Sequence, residues 1–544
     1  MLTYDLSERG SLPIYEFLTD SIRRDIQNGA LKKGERLPSK RSFAANLGVS
    51  VITIQNAYAQ LSDEGYVESR EKSGYFVADI ELLNFHTAST ESAERLRIDD
   101  NKDCMNNADV TTTAAAKVKK GNSEGIYENP VNAAAAGSDD TLQETKAEMK
   151  TYRGFDHFPY TIWSRITRNV LLDQEQYFMR KPESTGVPEL RKAIAEHLFS
   201  FRGLKVPPDN IIVGAGTEYL YGLAVQIIGR NGMIAVEDPG HTKISSVYES
   251  NGVKVIYIPV DDEGLVVSEL YRNHAAAVHV SPAHQFPTGA VMPASRRYQL
   301  LNWAAEHQAY VIEDDYDSEF RFSGRPVRTL TEIAPDRVIY MNTFSKTLSP
   351  SVRIAYMVLP DKLMRRFRSR LGFYSSTVSA IDQYTLAEFI SKQYYARHLN
   401  RMVKSYRNYR KQFLDIISGC GDGLMRVVSS DCGLHITLKI NEGADASGAH
   451  VDNGGGAGAV RDYADNKGGD RIVGADADND GGADMIEKCF SAYGISLIPI
   501  SAYSRRGGSG YRRCYILNYA ETDIERFRKA CDELKSGESY RLKF

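Results

Sequence analysis

Apolar residues at Ile14, Phe17, Leu18, Ile22 and Ile26 recur at helical spacing, so an amphipathic helix is expected near the start of the chain. The stretch GERLPSKRSFAANLG predicts a second helix, with Pro38 and Ser39 as its start signal and Gly48 as its stop. Ser50 is placed to cap a third, SVITIQNAYAQLSDEG, which Gly65 ends. A short helix, a tight turn at LGVS and another helix form the helix-turn-helix pattern. YVESREKSGYFVAD then predicts two short strands around a Lys-Ser-Gly turn, which would serve as a wing.

The pattern changes after residue 80. Residues 81–150 are polar and rich in Ala, Thr, Asn and Ser, with no sustained apolar face to offset their ordering entropy. They predict a flexible linker. From Tyr152 to Ile440, helical patterns such as ELRKAIAEHLFSF alternate with β-rich runs. The runs are IIVGAG, MIAVEDPG, VKVIYIPV, AAVHVSP, AYVIEDD, RVIYMNTF and RIAYMVLP. All but RVIYMNTF end in or are followed by Gly, Pro or Asp, and the alternation of helices and strands predicts a mainly parallel α/β sheet. A Gly/Asp-rich insertion spans about residues 441–484, and regular structure resumes with MIEKCFSAYGISLIPI. The expected organisation is multidomain: a small α+β winged helix over residues 1–80, the linker, and an α/β domain over residues 151–544. Ligands of such sheets bind beyond the carboxyl ends of the strands.

Charge changes the picture only locally. The net charge is -3. Yet between Arg23 and Arg41 the cations Arg23, Arg24, Lys32, Lys33, Arg36, Lys40 and Arg41 outnumber Asp25 and Glu35, enough to neutralise phosphates. The third helix would present Ser50, Val51, Thr53 and Gln55 to the major groove of double-stranded DNA. Gln55 matches adenine and Val51 a thymine methyl. A small helical domain for protein contacts is the alternative on periodicity alone. Six scattered cysteines without a CxxC pair suit reduced thiols. No apolar run approaches the roughly 18 residues of a membrane span, and the N-terminus lacks a signal-peptide pattern, so a cytoplasmic protein without a membrane partner is expected.

Several strand ends carry chemistry. Lys346 follows the strand RVIYM, Asp314 ends AYVIEDD, and Tyr316 lies two residues on. Thr343, Ser345 and Arg353 surround the lysine, and the turn GAGT brings Gly216 and Thr217 to a helix start suited to an anion. A lysine for a Schiff base, an acid for a ring nitrogen, a hydroxyl for a phenolic oxygen and a phosphate cradle are what pyridoxal 5'-phosphate requires. Taken singly these are weak signals, since an Asp ending a strand is usually a turn former. Asp476 to Glu487 matches a calcium-loop spacing, but its Gly-rich approach suits an acidic insertion better, and no metal is expected.

The run from Gly34 to Gly65 resembles the GntR-type winged helix, which implies DNA reading by Arg41, the Ser50–Gln55 segment and the wing glycine Gly74. The segments STGVPELRKAIAEHL, VEDPGH, VHVSPAHQFPTG, IEDDYDSEFRFSGRP and VIYMNTFSKTLSPSVRIAYMVLP resemble the fold-type I aminotransferases. EDDYDSEF followed by TFSKTL, behind such an N-terminus, resembles the MocR/GabR-type regulators in particular. That resemblance implies a homodimer, with Lys346 in the Schiff base, Asp314 at the ring nitrogen and Tyr316 near the phenolic oxygen. Three positions depart from the pattern. His241 stands where an aromatic residue stacks on the ring, and Lys243, a tentative effector contact, stands where relatives carry Arg. Phe286 replaces the Asn of an Asn-Pro-Thr-Gly run, leaving His284 or Gln285 to help. Arg505, Arg512 and Arg513 are the candidates for a substrate-carboxylate arginine, each with a solvated surface cation as its alternative reading. The expected function is a transcription regulator that senses an amine, an amino acid or the cofactor itself at Lys346, with weak or vestigial transamination. The alternative is a working aminotransferase that carries a DNA-binding domain.

Overall fold

The computed structural model describes residues 2–10, 12–70, 73–80, 158–173, 181–322, 327–420, 424–428, 432–441, 481–506 and 509–536. The expected linker, most of the expected insertion and residues 71–72 of the wing turn lie outside the described residues.

Local sequence accounts for the first domain. Helix α1 spans Ile14–Gln27, α2 Lys40–Leu47 and α3 Val51–Asp63. Ser39 Oγ accepts from the Ser42 amide and Ser50 Oγ from the Thr53 amide, each at 3.1 Å, satisfying donors that a helix start leaves open. Gly48 ends α2 at φ 66°, a conformation that costs glycine little. Strands β1 (Val67–Arg70) and β2 (Gly74–Val77) pair antiparallel with Val67 opposite Val77. Leu18, Ile22, Ile54, Tyr58 and Leu61 form a buried centre.

The seven β-rich runs all form strands of one eight-stranded sheet in the order β3-β10-β9-β8-β7-β4-β5-β6. Their ranges are β3 Ile211–Gly214, β4 Met233–Asp238, β5 Val255–Asp261, β6 Gly264–Leu265, β7 Ala275–Val280, β8 Tyr310–Asp314, β9 Val338–Thr343 and β10 Ala355–Val358. The five central strands from β9 to β5 are parallel, and β10 runs antiparallel to both neighbours. The sheet is thus mainly parallel. Its Val/Ile-rich strands are buried on both faces, as helix-covered parallel sheets are. Two apolar clusters cover the faces, one around Leu190, Ile194 and Tyr356, the other around Leu220, Tyr248 and Met357.

A second sheet, β11-β12-β14-β13, packs against the long helix Tyr394–Gly419 and the helices Gly481–Ala492 and Ile524–Ser536 around Phe413, Phe490 and Phe527. Its strands are β11 Met425–Val427, β12 Ile436–Ile440, β13 Ile498–Pro499 and β14 Cys514–Leu517. Regular structure resumes at Gly481, inside the range expected for the insertion. Gly481 to Glu487 is therefore helix, where a calcium loop would need a sharp turn at Gly481.

The winged helix is held to the larger domain by more than chain connection. The Ala294 amide donates to the Glu64 carbonyl at 3.0 Å. Gln27 Nε2 donates to the Tyr298 hydroxyl at 2.7 Å, and Arg321 lies 3.8 Å from Asp63. A Cβ on Gly65 would stand 2.9 Å from Pro293 Cβ, so this close approach needs glycine. The winged helix thus packs along the start of the helix Ala294–Glu306.

Candidate functional site

The carboxyl ends of β4, β7, β8 and β9 open on a cavity of about 260 Å³. Thr217, His241, Asp314, Tyr316, Thr343 and Lys346, far apart in sequence, meet in its lining.

Asp314, the last residue of β8, lies at its base. Asp314 Oδ2 accepts from the Tyr221 hydroxyl at 2.5 Å and lies 3.5 Å from His279 Nε2. His279 Nδ1 is 2.6 Å from the Tyr248 hydroxyl. Burial, then the Asp314 charge, pushes the Tyr221 phenol well up, so it stays a donor. Asp314 Oδ1 is buried and has no hydrogen-bond partner. Tyr221, Tyr248 and His279 escaped the sequence reading. Tyr221 shares a helix face with Thr217 four residues back, a usable signal. Nothing local marks the other two.

Tyr316 lines the cavity, and its hydroxyl donates to the His284 carbonyl at 2.9 Å. His241 stacks on Phe286, with ring centroids 4.9 Å apart, and burial lowers its pKa. Gln285 donates to the Pro239 carbonyl, and neither Gln285 nor His284 lies in the lining. His435 lies there instead, and burial followed by the Lys346 charge lowers it to about 4.

The cradle residues sit beside the cavity. Ser345 donates its amide to Thr343 Oγ1 at 3.1 Å. Arg353 Nη2 contacts Glu218 at 3.0 Å, and a Cβ on Gly216, at φ 91°, would stand only 2.6 Å from that nitrogen. Lys243 is bound to the other oxygen of Glu218 at 2.9 Å and lies outside the lining. Burial acts to raise Glu218, but the hydrogen bond from Lys243 and the two positive charges outweigh it and hold the carboxyl at about 2. Arg505, Arg512 and Arg513 also lie outside the lining, and Arg513 Nη1 donates to the Asn441 carbonyl at 2.8 Å.

On the winged helix, Arg36, Arg41, Ser50, Val51 and Gln55 are exposed, and Thr53 is half-buried under the cap. Lys40 lies over the Tyr75 ring, and Arg36 approaches Gly74, whose φ is 109°. Ile52, 69% exposed at the start of α3, is a further apolar contact that the sequence reading passed over. Two of the expected phosphate cations are engaged elsewhere. Arg23 is buried and binds Glu64 through two nitrogens at 2.8 and 3.0 Å, and Lys33 pairs with Asp79. Helical periodicity placed Arg23 on a basic stretch but could not show that its face turns inward.

Among the described residues no helix is long and apolar enough to cross a membrane. The family model "Aminotransferase class I and II" matches residues 150–435, and "Bacterial regulatory proteins, gntR family" matches residues 14–77. The HTH-type transcriptional regulator YdeL of Bacillus subtilis is 34% identical over 81% of this chain and 86% of its own length. The probable rhizopine catabolism regulatory protein MocR of Rhizobium meliloti is 30% identical over 80% of this chain and 83% of its own. The kynurenine aminotransferase of Pyrococcus horikoshii, solved in complex with PMP, has the same fold. Its TM-score is 0.56 at 19% identity, over 76% of this chain and 98% of that one. The cavity suits a pyridoxal phosphate group on its own chemistry: a lysine in the wall, a buried carboxylate oxygen without a partner, and beside it a turn whose Gly216, at φ 91°, favours glycine.

Proposed function

The chain belongs to the MocR-type transcription regulators, which join a GntR winged helix to an aminotransferase domain and use pyridoxal phosphate, and on that premise we propose that it reports a small amine, bound at Lys346, to the DNA reader. One observation carries this reading. The segment from Asp314 to Phe322 lines the cavity at Asp314, Tyr316 and Asp317, and its far end sets Arg321 beside Asp63, the last residue of α3. A displacement of this segment at the cavity is thereby felt at the helix that reads DNA.

Pyridoxal phosphate supplies an aldehyde carbon that exchanges amines and a ring that draws electrons when its nitrogen is protonated. The residues that would hold it divide the work. Lys346 is the amine for covalent attachment. Asp314, oriented by Tyr221 and His279, would hold a proton at the ring nitrogen. Gly216, Thr217, Thr343, Ser345 and Arg353 would hold the phosphate, with Arg353 shared with Glu218. His241 and Phe286 form an aromatic wall. On the DNA side, Arg36, Lys40, Arg41 and the wing at Gly74 contact phosphates. Ser50, Val51, Thr53 and Gln55 face the bases. A homodimer working in the cytoplasm completes the proposal: Lys346 is exposed in the single chain, and a second copy would close the site.

The test is direct. Lys346→Ala should eliminate the borohydride-reducible cofactor adduct and any response of operator binding to amines, while basal operator binding persists. Rapid turnover of an amino acid with a keto acid, near enzymatic rates of about 1–1000 per second, would overturn the sensor reading in favour of an aminotransferase.

A further inference from the structure

The cavity lining is mixed. Asp314 and Lys346 lie with the strand ends. Ile244, Phe286, Leu434, Ile498 and Ile516 supply apolar surface, beside the polar Ser281, His435, Tyr503 and Asn518. Two further carboxyls line it, Glu237 and Asp317, both more than nine-tenths buried. Glu237 Oε1 and Asp317 Oδ1 have no hydrogen-bond partner. Unsatisfied buried acceptors of this kind call for a donor. Burial raises Glu237 to about 8 and, against the opposing Lys346 charge, also raises Asp317.

Among the described residues no arginine lines the cavity, Arg512 included, and Lys243 lies outside it as well. Lys243 and Arg353 are bound to Glu218. Arg513 is bonded to the Asn441 carbonyl. Arg505 is exposed, its amide held by Asp238. The side chain that β14 does send into the lining is Ile516.

From this arrangement we infer that the effector is a primary amine with an apolar body and no carboxylate, so that its ammonium and N–H groups meet the acceptors and its hydrocarbon meets the isoleucines. A carboxylated amine would set a negative charge against Ile516 and two carboxyl groups, and no arginine in the described lining is there to receive it. The inference rests on the amine-sensing reading above and narrows it to one chemical class.

Matched pairs test it on the full-length protein loaded with pyridoxal phosphate: phenethylamine against phenylalanine, and isopentylamine against leucine. The cofactor's absorbance and operator binding are followed together. Each amine should half-saturate both signals at a concentration at least about tenfold below that of its amino acid. Equal or tighter binding of the amino acids overturns the inference and leaves the sensor reading standing. Silence from both members of both pairs overturns the sensor reading itself. Ile498→Arg places a guanidinium on the wall at a residue 38% exposed. This variant should bring the amino acids within about threefold of the amines. An unchanged ratio would show that the wall is not what excludes the carboxylate.

Discussion

Arg23→Ala separates a buried structural cation from a DNA contact. Arg23 is 8% exposed and Glu64 4%. The guanidinium donates through Nε and Nη2 to the carboxylate, and Gln60 Nε2 adds a third donor at 3.0 Å. Removing Arg23 leaves the Glu64 carboxylate buried with one amide for company. Breaking a buried pair from one side costs about 3–5 kcal/mol, most of it the stranded charge. The Glu64 carbonyl accepts from Ala294, so the loss falls where the winged helix meets the larger domain. At about 1.4 kcal/mol per tenfold, amide exchange across residues 14–77 should accelerate roughly 100- to 4000-fold, measured by hydrogen-exchange mass spectrometry on the intact protein. Exchange elsewhere in the eight-stranded sheet should change little. The salt dependence of operator binding by the folded fraction should stay as in the parent. Exchange unchanged within about threefold, together with a salt slope lowered by about one, would mean that Arg23 holds a phosphate and that the burial argument fails.

Arg41→Ala should lower the salt slope of operator binding by about one unit, because Arg41 is exposed beside α3, whereas Gln55→Ala should relax base preference at one position; fluorescence anisotropy over a salt series with operator variants distinguishes the two. Tyr221→Phe deletes a 2.5 Å hydrogen bond to Asp314 and should weaken cofactor retention by about 10- to 100-fold, the worth of a hydrogen bond to a charged group, in a spectrophotometric titration of the apoprotein. Glu237→Gln should become progressively more stable than the parent as pH rises. Burial lifts the folded carboxyl to about 8 from an unfolded value near 4.5, so the parent loses stability across that window as the unfolded state sheds its proton first. The difference has an upper bound of roughly 5 kcal/mol and should vanish below pH 4.5, and a flat difference across the window in chemical denaturation would refute it.

What the sequence by itself determined was whatever depends on near neighbours. Ser39, Ser50 and Gly48 capped the helices where their spacing predicted. The seven β-rich runs became strands because continuous Val/Ile segments between turn residues have few other ways to be buried. Lys346, Asp314, Tyr316 and Thr217 met because each sits at or just past a strand's carboxyl end, and a parallel sheet gathers those ends on one edge. Tertiary structure decided everything that rests on a partner distant in the chain. Lys243 and Arg353 both went to Glu218, and Arg23 went to Glu64; these choices follow from which faces pack together, which a period of 3.6 residues does not encode. Tyr248 and His279 joined the chain of groups behind Asp314 because a helix and a strand 31 residues apart were pressed together. The contact of the winged helix with the helix Ala294–Glu306 rests on single atoms, such as the Ala294 amide on the Glu64 carbonyl, and backbone amides carry no mark of their partner in the sequence.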